Sequence, residues 1–133
     1  MGTYLNGLKI TDPGGAILSG THTPTLVNGT NVAASSPALS TYLRIGAGVS
    51  GVINLVVDPS AAAPSSTDLT FTLPIACTTT PTGGGVAVSY TGGGGATQSG
   101  IVTMASSTTG RLLFEAQAAG NVTWKISYQY VIN

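Results

Sequence analysis

Few side chains in this chain could do chemistry, and their spacing limits what that chemistry would be. His22 is the only histidine and Cys77 the only cysteine among 133 residues. An imidazole acts as a base when a carboxylate orients it and a nucleophile lies within reach. The acidic residue nearest to His22 in sequence is Asp12, and the chain holds no nucleophile-elbow motif. Cys77 follows the apolar run Leu73-Pro74-Ile75-Ala76 with no basic neighbour to stabilise a thiolate, so it reads as a small buried hydrophobe. Asp58 and Asp68 flank loop 59–67 and could meet at its base. A calcium shell needs about six to eight oxygens, so simple turn capping by each aspartate is the better reading.

Two glycine motifs point to phosphate binding and then fail. Gly46-Ala47-Gly48-Val49-Ser50-Gly51 spells a dinucleotide-binding fingerprint, but Val52-Ile53-Asn54-Leu55-Val56-Val57 follows it. That run is β-forming, so no helix N-terminus would meet a pyrophosphate, and a glycine-rich hairpin is expected. Gly92–Gly95 lacks the Gly-Lys-Ser/Thr ending of a phosphate loop. Neither His22 nor Cys77 has metal-ligand spacing to a partner. The chain is therefore expected not to be an enzyme, with no catalytic residue, no metal and no cofactor. Two glycosylation sequons, Asn28-Gly29-Thr30 and Asn121-Val122-Thr123, count as chance matches, since no secretory signal precedes them.

Charge narrows the partners. Asp, Glu, Lys and Arg make up 6% of the chain, against about 25% in an average soluble domain. Four basic residues balance four acidic ones, and Ser and Thr together supply about a quarter of the sequence. No basic patch is available to hold a phosphate backbone, so nucleic acid is not an expected partner. No apolar run reaches the roughly 18 residues of a membrane span, so no membrane is expected either. A neutral domain of positive mean hydropathy should dissolve poorly alone. Burial against further subunits would relieve that.

The elements that position these residues are strands. Val122, Trp124, Ile126, Tyr128, Tyr130 and Ile132 alternate with Thr123, Lys125, Ser127 and Gln129, which gives one apolar and one polar face. Leu69–Leu73, Val86–Tyr90 and Leu112–Ala116 repeat the alternation, and Thr23–Val27, Leu39–Ile45, Val49–Val57 and Ser99–Ala105 complete about eight strands. Short strands separated by Pro, Gly, Asn and Ser clusters predict an all-β, antiparallel β-sandwich of jelly-roll type over residues 19–133. Gly83–Gly85 and Gly92–Gly95 read as long loops. Residues 1–18 differ. Two apolar stretches flank the turn Asp12-Pro13-Gly14-Gly15, which predicts an extended arm, with a first edge strand as the alternative. Tyr42 and Tyr90 are core by default and could otherwise line a saccharide groove.

Three stretches carry a family resemblance. They are Ser19-Gly20-Thr21-His22-Thr23-Pro24-Thr25-Leu26 with Asn31-Val32-Ala33-Ala34; Tyr42-Leu43-Arg44-Ile45-Gly46 with Val49-Ser50-Gly51 and Asp58-Pro59; and Phe71-Thr72-Leu73-Pro74-Ile75-Ala76. In order and spacing, residues 19–133 resemble small β-sandwich virion proteins of tailed bacteriophages. The resemblance implies a virion structural protein made in the host cytoplasm, and a homotrimer. A chain this short has no fibre stalk, which favours a capsid decoration (cement) protein on the outer surface of the phage head. Its arm, with Tyr4, Leu5, Leu8, Ile10, Ile17 and Leu18, would then dock on the major capsid protein. The alternative is a tail-fibre tip or adsorption module that binds host glycan through Tyr42 and Tyr90.

Overall fold

The computed structural model describes residues 4–5, 8–9, 17–61, 65–92 and 97–133. Among these the chain forms twelve strands and no helix. β1 (Tyr4–Leu5) and β2 (Leu8–Lys9) pair with each other in a small two-stranded sheet. The other ten are β3 (Ile17–His22), β4 (Leu26–Asn28), β5 (Val32–Pro37), β6 (Ser40–Ile45), β7 (Gly48–Pro59), β8 (Ser65–Thr72), β9 (Thr82–Gly92), β10 (Ser99–Met104), β11 (Thr109–Ala116) and β12 (Val122–Val131). They build one antiparallel sheet in the order β3-β6-β7-β12-β9-β10-β11-β8-β4. One edge of β7 carries two partners. Its first half pairs with β6 and its second half with β5.

The expected two-layer sandwich is replaced by one sheet that curls into a half-barrel. Two ring pairs give the measure of the curl. Phe114 on β11 and Trp124 on β12 stand three strands apart in the sheet, yet their ring centroids are 4.4 Å apart. Phe71 on β8 and Tyr128 on β12 stand four strands apart, with centroids at 5.7 Å. In a flat sheet those separations would be about 14 and 19 Å. The concave face therefore packs against itself. Val49, Ile53, Leu55 and Val57 of β7 join Leu69, Phe71, Leu112 and the buried side of β12 in a single core.

Glycines opposite large rings make the curl possible. Gly20 pairs with Tyr42, Gly51 with both Tyr42 and Tyr128, and Gly110 with Phe71. A Cβ at Gly20 would lie 2.7 Å from the Tyr42 hydroxyl, and one at Gly110 would lie 2.5 Å from the Phe71 ring. Each ring covers bare backbone where a side chain would hold the strands flatter. Gly83–Gly85, expected as a loop, instead lie within β9. A Cβ on Gly84 would stand 2.8 Å from the Val102 carbonyl oxygen, and Cβ atoms on Gly83 and Gly85 would strike the backbone of β12. The glycine run thus marks close backbone approach rather than a connection. Residues 93–96, most of the other glycine loop, lie outside the described residues.

The half-barrel is drawn together at one side by the turn between β4 and β5. The Gly29 N–H donates to the Asp68 carbonyl at 3.1 Å, and the Asp68 N–H donates to the Thr30 carbonyl at 3.1 Å. Asn31 sits at a φ of 57°, a conformation Asn tolerates better than most residues. Its side chain donates to Thr67 Oγ1 at 2.9 Å and accepts from the Ala61 N–H at 2.8 Å, and its carbonyl accepts from Ser60 at 3.1 Å. The turn so joins β8 to the far end of β7. Ser35 and Asn28 add a side-chain bond between β5 and β4.

Candidate functional site

The surface that stands out is the convex wall of the sheet. Val86-Ala87-Val88-Ser89-Tyr90 was expected to bury its larger side chains. Instead Ala87 and Ser89 face the core, at 1% and 2% exposure, while Val86, Val88 and Tyr90 face outward. The reason is spatial. Trp124, Tyr128 and Tyr130 from β12 fill the interior beside β9, so only small side chains fit beneath them. The polarity of β9 is thereby inverted.

The neighbouring strands extend this apolar surface. Val52, Ser127, Val86, Ile101 and Leu113 form one row across β7, β12, β9, β10 and β11. Val86 is 64% exposed and Ile101 57%. Single exposed aliphatics are ordinary, but a row from adjacent strands is a patch of the kind that marks an interaction surface. Five strands make it about 19 Å wide. Val52, Val86 and Val88 border a shallow apolar depression beside Ser127 and the Lys125 stem. The Lys125 ammonium lies 5.2 Å from the centroid of the Tyr90 ring, so it turns toward that ring as a cation–π partner. Toward β3 the same wall continues through Leu43, Ile45 and Ile17, all roughly half exposed.

The residues singled out for chemistry hold structural positions. The His22 Nε2–H donates to the Thr72 carbonyl at 3.2 Å, and its ring meets Tyr42 edge-on at 6.1 Å. Cys77 is partly buried against the core, and its N–H donates to the Ser107 carbonyl at 2.8 Å. Gly46 and Ala47 form the β6–β7 turn and Gly51 lies inside β7, so the fingerprint is a hairpin. Asp68 does cap a turn. It accepts the Thr30 N–H at 2.6 Å and Arg111 Nε–H at 2.6 Å, and its carboxyl is held below its usual pKa. The Thr30 backbone bond is the main cause. Burial opposes it and Arg111 adds to it. Asp58 lies on β7 opposite Ala34, and no metal-binding cluster forms among the described residues.

Tyr42 and Tyr90 are not brought together. Tyr42 packs on the concave side against the core, whereas Tyr90 is on the convex side. Of the expected docking residues, Tyr4, Leu5 and Leu8 lie in β1 and β2, and Ile10 lies outside the described residues. Ile17 and Leu18 belong to β3 and pair with Ile45 and Arg44, so the boundary expected after residue 18 falls inside a strand of the main sheet. The stretches carrying the family resemblance also have structural work. Arg44 Nε–H donates to the Gly46 carbonyl at 2.8 Å, and the Tyr130 hydroxyl donates to the Ile75 carbonyl at 2.8 Å. Burial pushes the Tyr130 phenol up to about 12, and burial beside Tyr130 and Tyr42 raises Tyr128 further.

Compared with protein-family models, with curated proteins and with solved structures, the chain finds no match. What fold and surface define by themselves is a charge-poor, all-β domain of one curled sheet whose convex wall carries an aliphatic row.

Proposed function

We propose that this protein is a non-catalytic structural subunit that works by burying its convex wall against neighbours in a larger assembly. The observation that carries this reading is the inversion of β9, which turns Val86, Val88 and Tyr90 to solvent while Ala87 and Ser89 face the core. Apolar area removed from water is worth about 25 cal/mol per Å². The row from Val52 to Leu113 itself contains no ionic side chain, and Lys125, Arg111 and Glu115 lie beside it on the same face. The overall scarcity of charge fits the same end. The resemblance to phage virion proteins gives the assembly a specific form: a capsid decoration protein on the outer surface of the head, whose N-terminal segment adds a further contact.

Two experiments test the reading. Val86→Glu with Ile101→Glu places two charges in the row at exposed positions and should abolish association through the convex wall while leaving the fold intact, as read by circular dichroism and by the loss of species larger than a dimer in light scattering. Unchanged association would remove the convex wall from the proposal. Imaging of labelled virions tests the location. Label over the head supports decoration, label at the tail tip favours the adsorption alternative, and unlabelled particles overturn the virion reading.

A further inference from the structure

We infer that β3 is an open sheet edge that takes up β3 of a second copy, so that two half-barrels join into one continuous antiparallel sheet. The inference rests on the assembly reading above and names its partner and contact. Among the described residues β3 is the last strand on its side of the sheet, and its ladder runs to β6 alone, from Ile17↔Ile45 to His22↔Ser40. In an antiparallel edge strand every second residue directs its N–H and C=O away from the sheet. Edge strands are usually blunted by Lys, by Pro, by a bulge or by shortness. Ile17-Leu18-Ser19-Gly20-Thr21-His22 has no Lys, Pro, Asp or Glu, runs six residues, and keeps an unbroken register with β6.

The opposite terminus of the sheet shows what a protected edge looks like in the same molecule. β4 is three residues long, follows Pro24, and ends in the turn bonded to Asp68. β5 also pairs with one strand alone, but it ends at Pro37, breaks register between Val32 and Ala34, and is tied to β4 by the Ser35–Asn28 side-chain bond. Among the described strands of the main sheet with a single partner, β3 is the one with no such device.

A second copy is the occupant that the edge itself specifies. What completes an edge is another extended strand, and a β3 strand brings no carboxylate or lysine to oppose an identical one. A two-fold axis perpendicular to the sheet keeps both convex walls on the same side and makes the pair a dimer, in place of the homotrimer that the resemblance implies. The pair is then centred on Ser19 or Gly20, with each residue facing one of the same face. Ile17, Leu43 and Ile45 of both copies then merge into one apolar wall of double width. The contact is small. Six residues run about 20 Å, well short of the roughly 800 Å² per partner of a standard interface. The pair should therefore be weak in dilute solution and strong when a surface holds the copies close.

Crosslinking through β3 tests this in the full chain. In a Cys77→Ser background, Ser19→Cys with Thr21→Cys places thiols at two exposed β3 positions, which face each other across either register. The inference predicts covalent dimers under mild oxidation at least about tenfold faster than for a control with Thr80→Cys, an exposed position in the connection between β8 and β9 and off the convex wall. Equal rates for the two proteins would overturn it, whatever the wild-type mass. Hydrogen exchange provides the second readout. If the β3 amides are protected equally at low and high concentration, residues 1–16 or another segment of the same chain cover the edge, and the inference fails. Val86→Glu with Ile101→Glu should leave the β3 crosslink intact, so a failed convex wall and a failed edge give different results.

Discussion

At one side of the sheet, β4 is a three-residue strand pinned by backbone bonds to Asp68, by Asn31 and by the Arg111–Asp68 ion pair. At the other side, β3 runs six residues with Ile17 and Leu18 about half exposed and no described strand beyond it. The first region spends its polar groups on closing the half-barrel. Among the described residues, the second region is tied at the end of β3 by His22, which bonds the Thr72 carbonyl and meets Tyr42, and the rest of its edge has no partner strand. The contrast teaches that one chain can be stable within itself and still be incomplete as an object. The convex wall fits the same division, because its apolar side chains contribute nothing to the core they face away from.

Substitutions can break this contrast. The largest effect is expected under the pinned side. Phe71→Ala empties a fully buried site that meets Tyr128 and Gly110, and should cost about 3–5 kcal/mol in denaturant unfolding. Leu18→Ala on β3 should cost well under half of that, since the residue is 47% exposed. Comparable losses at the two positions would mean that β3 is as integral to the fold as β8.

Asp68→Ala comes next, at about 2–3 kcal/mol, because it orphans the Thr30 N–H and unpairs Arg111. Most of this belongs to the Thr30 bond, as the Arg111 side chain is 43% exposed and its pairing is screened. The same carboxylate sets an acid limit. Its folded pKa lies below the usual 3.8 of a free aspartate, so its stabilisation is present above that value and is lost as pH falls through the folded pKa. Unfolding free energy followed from neutral pH to below 3.8 should drop more steeply in the wild type than in Asp68→Asn. The Tyr130 phenol has the opposite sign. It is raised from 10.0 to about 12, so its contribution holds below 10 and is lost as pH climbs toward 12. The smallest effect belongs to Thr21→Lys, an edge-blocking change at an exposed position that should alter stability by less than about 0.5 kcal/mol while suppressing β3 pairing.

Some of this is legible in the sequence, and the physical reasons for the remainder are specific. β12 can be read directly, because large apolar and polar residues alternate from Val122 to Tyr130 and the large ones are buried. β9 has equally clear alternation with the opposite outcome. Periodicity gives the two faces of a strand, but the rings of β12 decide which face the core has room for. β5 gives no signal, since Val32-Ala33-Ala34-Ser35-Ser36 is small and mostly exposed. The curl is equally hidden, because Phe71 and Tyr128 meet only after three intervening strands are laid down. Turn capping at Asp68 follows from its residue type, whereas its bond to Arg111, 43 residues away, needs the β8–β11 register. The convex wall had a faint trace: Val52, Val86, Val88 and Ile101 are aliphatic at positions that register turns outward.

The central claim is that this domain is built to be completed by neighbours, and sedimentation velocity across a wide concentration range tests it most directly. The account predicts a sedimentation coefficient that rises with concentration as copies associate. A single species with the mass of one chain, unchanged at every concentration, would contradict it.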